Sequence, residues 1–317
     1  MTSPAAVQLR NPEPPDTVAA ELGFAPVDDV PIPYMQRLRE WKKAIGHTTV
    51  YTWAHFIDVP FAPLPGPLSE CSVALLTTAA PYQPDKGDQG PGAPYNDAAK
   101  FFDVYSGDAA RDPDLRISHV GIDRKHTSME DSRCWFPLPA LRAVAASGRI
   151  GRVARRFHGI PTVRDPRTTL RVHAPEVLKR CREDGVDAAV LVANCTVCHQ
   201  TLCLVARVLE AAGIPTVVMA CARDIVEHVG VPRALFSDFP LGNAAGKPQD
   251  EASHRETLRL ALDVLESARA ARTIVQSPLR WSGDHAWKAD FSNIALLAPH
   301  ELESLRAEYR AQCAATA

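Results

Sequence analysis

The chain has 317 residues, 46% of them hydrophobic, with 35 basic against 37 acidic side chains and a formal net charge of -2. That is enough apolar material for one large domain or two lobes, and the lack of a basic block interleaved with aromatics argues against nucleic acid as a partner. The N-terminus has no cationic stretch leading into an apolar one, and no run of about 18 apolar residues occurs; neither a secretory signal nor a membrane-spanning helix is expected, and the predicted compartment is the cytoplasm.

In chain order, residues 1–32, rich in Pro, Ala and Glu, read as a flexible arm. "PYMQRLREWKKAIG" (33–46) predicts a short helix, and "CSVALLTTAAPY" (71–82) a buried strand feeding a loop. The stretch "QPDKGDQGPGAPYNDAAK" (83–100) is longer than a simple connection needs, which points to a functional or mobile loop. "DLRISHVG" (114–121) reads as a strand, and "FPLPALRAVAASGRIG" (136–151) as a helix opened by Pro and stopped by Gly. From here the rhythm is regular. Helices at 174–185, 196–213 and 222–230 alternate with strands at 186–193, 214–220 and 233–239. A long amphipathic helix (248–272) and a last strand in "TIVQSPLRW" follow. Strands apolar on both faces and separated by helices predict an α/β fold of mainly parallel sheets flanked by helices, doubly wound. Two lobes are expected, 33–165 and 166–317.

Eight cysteines are present, and "VLVANCTVCHQTLCLV" (190–205) holds Cys195, Cys198 and Cys203. In a cytosolic chain such residues serve as thiols, ligands or redox centres more often than as disulfides. Ligands of an open parallel sheet bind beyond the carboxyl ends of its strands, and Asn194 and Cys195 fall where a strand gives way to a helix. The helix N-terminus there predicts a lowered pKa for Cys195. Cys198, three residues on, returns to the same face, giving the arrangement of a thiol–disulfide redox centre. Cys203, in "TLCLVARVL", reads as a core thiol, and the isolated Cys71, Cys134, Cys181 and Cys313 as plain thiols. Cys221 ends the next strand at the same sheet edge and is a candidate third catalytic thiol. The string CTVCH spells a haem-attachment pattern, but it sits inside a strand–helix unit with no export signal, so haem is not expected. No bound metal is expected either; Cys195, Cys198 and Cys221 are the set that could hold one.

"CTVCHQTLCLVARVLEAAGIPTVVMACARDIVEHVGVPRALFSDFPLGNAAGKP" resembles the B-type subunits of the glycine, sarcosine, betaine and D-proline reductases. "LRISHVGIDRKHTSMEDSRCWFPLPALRAVAASGRIG" is similar to the first half of the same family, and "TIVQSPLRW" fits its C-terminal section. The resemblance covers roughly residues 70 to 281. It implies cleavage of a C–N bond by a chalcogen, with selenocysteine at the first position of the C-x-x-C pair. Cys195 would stand at that position, and Cys198 would be the resolving thiol. It also implies a partner subunit whose pyruvoyl group activates the amine.

Other side chains are candidates by position. His126, in the polar loop "RKHTSMEDS", could act as general acid or base, oriented by Glu130 or Asp131. Thr77, Thr78, Asn194, Arg223 and Asp238 stand at or near strand ends where a substrate would be bound, and Asp224 could cap a helix. His199 could lower a thiol pKa as a cation. The function expected is a thiol-dependent reductase acting on an amino acid or related small nitrogen compound, recycled by an external thioredoxin-like thiol reductant and working as a homo-oligomer with a partner subunit. The alternative is a cofactor-independent racemase, lyase or hydrolase using Cys195 without net redox change. "VANCT" also looks like the cysteine-bearing turn of aspartate/glutamate-type racemases, but Thr77 and Thr78 stand where two-base racemisation would need a second thiol. A non-enzymatic scaffold is the third reading.

Overall fold

Strand β7 (Ala188–Val192) and strand β8 (Thr216–Ala220) are buried along their whole length, as central strands covered on both faces must be. Each Val or Leu sealed in this way contributes about 1.5–3 kcal/mol. They belong to a sheet with β1 (Ser72–Thr77), β3 (Tyr105–Asp108), β5 (Arg152–Val153), β6 (Arg156–Gly159), β9 (Arg233–Phe236) and β10 (Thr273–Gln276). The order is β10-β9-β8-β7-β1-β6-β3, with β5 also paired to β1. All pairings are parallel except β3 with β6. Helices α1 (Tyr34–Ile45), α2 (Leu138–Ala146), α3 (Ala174–Glu183), α4 (Thr196–Ala211), α5 (Arg223–Val229), α6 (Glu251–Ser267) and α7 (Pro299–Ala315) flank it. The α/β, mainly parallel architecture agrees with the sequence pattern. This computed structural model describes residues 29–48, 51–90, 93, 96–117, 119 and 121–315. The expected arm lies outside the described residues but for its last four, and so does the Cys313 side chain.

Strands from both sides of residue 165 share the one sheet. β1 lies between β6 and β7, and its register with β7 runs from Val73↔Ala188 to Thr77↔Val192. Ile32–Ala317 accordingly forms one compact unit, not two lobes. The strand expected over 114–121 shrinks to β4 (Leu115–Arg116), which pairs only with β2 (Ala80–Pro81). Pro81 has no N–H with which to extend that ladder, and His119 and Gly121 lie beyond the strand. Strands β3 and β6 lack an apolar signature because their polar side chains are paired: Arg156 bonds Asp184 at 2.8 Å and Glu183 at 2.9 Å, and His158 Nδ1 meets Ser106 Oγ at 2.9 Å.

The winding fixes where a site can form. From β1 the chain passes to β6 on one side, whereas from β7 it passes through α4 to β8 on the other. The loops leaving the C-terminal ends of β1 and β7 therefore diverge, and a crevice opens between them at the switch of direction.

Candidate active site

Asn194 and Cys195 leave β7 in this crevice. Asn194 Nδ2 donates to Thr78 Oγ1 at 3.2 Å, tying the β7 exit to the β1 exit. Cys195 is the N-cap of α4, and its Sγ accepts the Cys198 N–H at 3.3 Å. A thiol in a role usually taken by Ser or Asp is itself informative, because the cap aims free helix N–H groups at sulfur. Cys195 lines a cavity of about 610 Å³ together with Thr196 and Val197. Cys198 is fully buried behind it and is not part of the lining.

Two further groups complete the cluster. His119 reaches in from the loop after β4, and its ligating nitrogen and the two sulfurs all lie within 4.8 Å of one another. Thr162, beyond β6, brings Oγ1 to 3.5 Å from Cys198 Sγ. Arg124 holds the His119 carbonyl at 2.9 Å. Neither His119 nor Thr162 stood out in sequence: one sits in a stretch that reads as a strand, the other in an unremarkable "IPTVRD".

The charge sits on the second sulfur, contrary to the expectation for Cys195. Burial opposes ionisation at Cys198, but the hydrogen bond from the Cys195 thiol, the charge and N–H of His119, and Thr162 together outweigh it and hold its pKa well below the ordinary thiol value. Burial and the neighbouring Cys198 thiolate push the Cys195 pKa up, against the pull of the α4 amides. Burial alone would lower the His119 pKa, yet the Cys198 sulfur beside it holds the imidazolium and raises it. The arrangement favours the anion at Cys198, the neutral thiol at Cys195 and the protonated ring at His119. One His and two Cys with a side open to the cavity are also donors of the kind that hold zinc.

His199 plays a different part from the cation expected of it. It is fully buried; Nδ1 meets the Cys195 carbonyl at 2.7 Å, and Nε2 accepts the N–H groups of Cys221 and Ala222 at 2.9 and 3.0 Å. Acceptance at Nε2 fixes the neutral tautomer, and burial pushes its pKa down to about 4. His199 is thus a clip between the exits of β7 and β8. With both ring nitrogens committed, it is no haem ligand.

The remaining candidates fall outside the cavity lining. His126 bonds both Asp123 oxygens at 2.9 Å, with Asp290 at 3.5 Å from Nε2, so Asp123 and not Glu130 or Asp131 orients it. Cys221 is buried near Asp238 and takes N–H groups from Asn243 and Phe239; it does not join the Cys195–Cys198 group. Asp238 pairs with the buried Lys288. Arg223 pairs with Glu227 at 2.7 Å on the surface of α5. Asp224 accepts the Met35 N–H at 2.8 Å, seating α1, and burial raises its pKa to about 6. Thr77 accepts the Ala79 N–H at 3.1 Å and shapes the β1 exit. Cys203 is core, fully buried as expected.

Fold and site together define a doubly wound α/β protein that carries a dithiol at its sheet switch point. Among known proteins, the chain is 30% identical over 223 residues to the D-proline reductase subunit gamma of Acetoanaerobium sticklandii, covering 70% of this chain and 89% of that one. It is 26% identical over 270 residues to the glycine reductase complex component B subunit gamma of Symbiobacterium thermophilum, covering 82% of this chain and 60% of that one. It is 25% identical over 235 residues to the sarcosine reductase complex component B subunit beta of Peptoclostridium acidaminophilum, of which it spans 53%. The chain belongs to the family of B-type subunits of the glycine, sarcosine, betaine and D-proline reductases, and is an enzyme chain related to the amino-acid reductases. No family model and no solved structure matches it. No described helix is long and apolar enough to cross a membrane.

Proposed function

We propose that the chain carries out thiol-dependent reductive cleavage of a C–N bond in an amino acid or related nitrogen compound, with Cys195 as nucleophile and Cys198 as resolving thiol. The observation behind this reading is the asymmetry of the pair: Cys195 lines the cavity, while Cys198 lies behind it beside His119 and Thr162. The Cys198 thiolate takes the Cys195 proton along their shared hydrogen bond. Cys195 sulfur then attacks the carbon bearing nitrogen; the C–N bond breaks, and nitrogen leaves with the electron pair and a proton from the His119 imidazolium. The neutral imidazole next accepts the Cys198 proton, and Cys198 attacks Cys195 sulfur. The C–S bond breaks, the carbon takes its pair and that proton, and a Cys195–Cys198 disulfide remains. Two electrons and two protons have passed to the substrate, and an external dithiol of the thioredoxin type restores the pair. A partner subunit's pyruvoyl group would supply an electrophilic carbonyl to activate the amine, in the cytoplasm and in a homo-oligomeric assembly.

Substrates can be screened by intact-mass measurement on Cys198→Ser at alkaline pH, where Cys195 ionises without its neighbour as base; the variant should trap a covalent adduct on Cys195 and release no reduced product. Cys195→Ser should form none. Sustained turnover by Cys198→Ser would sink the mechanism. Turnover by the unaltered protein without thiol loss would favour the non-redox lyase or hydrolase.

A further inference from the structure

The cavity in front of Cys195 is too positive for a simple zwitterionic amino acid. Its 610 Å³ lies in the usual range of a small-molecule site, so charge and not size marks out its ligand. Among the described residues the lining carries Arg39, Lys42, Lys43, Lys100 and Arg164 and no Asp or Glu. None of these five cations has a carboxylate partner among the described residues, although ion pairs are plentiful elsewhere on the surface. Lys42 and Lys100 are partly buried, with Arg39, Lys43 and Arg164 at the exposed rim.

Like charges gathered without counter-ions repel one another, and low-dielectric walls strengthen the effect. The repulsion is legible in the site. Burial and then Arg164 lower the Lys42 pKa, and burial, Lys42 and Arg164 lower that of His47 on the same wall. The wall is also anchored: Gln200 of α4 donates to Tyr51 Oη at 2.7 Å and accepts the Ala54 N–H at 2.7 Å. Tyr51, Trp53 and Phe101 add apolar surface. A zwitterion with one carboxylate and one ammonium is net neutral and leaves the repulsion uncompensated. A second acidic group leaves a net negative charge even with the amine protonated, and relieves it.

We propose that the substrate is a nitrogen compound bearing two acidic groups, carboxylate or phosphate, with Lys42 and Arg164 among its ligands and an apolar part against the aromatic wall. This rests on the reading of Cys195 as the nucleophile and names the substrate class of that site.

The test is equilibrium binding by calorimetry to the Cys195→Ser protein, where no chemistry interferes. Probes are proline, iminodiacetate and N-(phosphonomethyl)glycine. The two diacids should bind at least roughly tenfold more tightly than proline, and the preference should vanish in Lys42→Gln and, independently, in Arg164→Gln. Preference for iminodiacetate or for the phosphonate decides between the two acidic groups. Equal or tighter binding of proline, no binding by any probe, or a preference unchanged in both variants overturns the proposal. So does an acidic polypeptide such as polyglutamate binding where the small diacids do not, which would make the cations a docking surface. Because binding is read without turnover, a diacid preference in a protein that forms no Cys195 adduct leaves this inference standing and removes the proposed chemistry.

Discussion

Two clusters among the described residues place cysteine beside histidine, and they behave in opposite ways. His119, Cys195 and Cys198 form one; Asp131, Cys134 and His254 form the other, and in each the candidate ligand atoms lie within 4.8 Å. In the second, Cys134 Sγ is 3.6 Å from His254 Nε2. Asp131 is already saturated, accepting from Arg133 Nε at 2.7 Å and the Gln249 N–H at 2.8 Å. Burial and then the Asp131 charge push the Cys134 pKa up, and burial lowers that of His254. A neutral thiol beside a neutral imidazole and a carboxylate is packing. Around Cys198 no carboxylate appears among its dominant influences; an imidazolium and two hydroxyl- or thiol-type donors face the sulfur. The sign of the neighbouring charge and access to a cavity separate a reactive thiol from a structural one, and proximity to histidine does not.

The largest expected effect tests what holds the reactive cluster in place. His199→Leu leaves the Cys221 and Ala222 amides buried without their partner, at about 1–3 kcal/mol for each, while the Cys195 carbonyl keeps only the backbone N–H of residue 199, so thermal stability should fall by several kcal/mol. The intact clip also predicts an acid dependence. His199 and the buried His158 have folded pKa values near 4, burial being the first cause for both. The unfolded chain, with ordinary histidines near 6.5, binds more protons between those limits. Stability should hold above pH 6.5 and decline as pH falls toward 4. A flat thermal-melting profile over that window would show that the clip is not neutral.

The contrast between the clusters breaks most directly by alkylation. Iodoacetamide on the native protein at neutral pH should modify the Cys195–Cys198 pair at least roughly 100-fold faster than Cys134, as read by peptide mass mapping. His119→Ala removes the imidazolium and should move the pH midpoint of the pair's reaction upward by about one unit, whereas His254→Ala should confer no reactivity on Cys134. Equal rates at the two clusters would erase the distinction.

How much of this was legible in sequence follows from the range of the interactions involved. The alternation of apolar strands and helices over 174–239 announces the doubly wound sheet, and the strand–helix junction at 193–196 announces Cys195 at its carboxyl edge. Local rules carry that information. The position of β1 against β7 is a pairing across more than a hundred residues, which no local pattern encodes, and it fuses the expected lobes. His119 was hidden because the residues before it look like a strand, and because its role depends on Thr162 and Cys198 arriving from elsewhere in the chain. His126 drew attention through its polar loop, but Asp123 and Asp290 claim it. The α4 N-terminus marks the right turn of chain but not the sulfur whose pKa falls: the N-cap thiol does receive amide hydrogen bonds, yet the partners facing Cys198 are stronger.

The smallest expected effect concerns how tightly the His119 loop is laid against the thiols. A Cβ on Gly121 would fall 2.8 Å from Thr196 Oγ1 and 3.8 Å from Cys195 Cβ. The first distance is shorter than a real contact permits, and Thr196 is buried with little room to turn. Gly121→Ala should therefore cost about 1 kcal/mol in stability, because one side chain has to give, not the fold. The same displacement carries His119 away from Cys198 and should slow alkylation of the pair at neutral pH. Thr196→Ala removes the obstructing oxygen, so the double variant should recover most of the lost reactivity, a coupling that a double-mutant cycle reads as a departure from additivity. Additive losses would mean that the loop tolerates the methyl group elsewhere, and that the fit between His119 and the dithiol is looser than the contact at Gly121 requires.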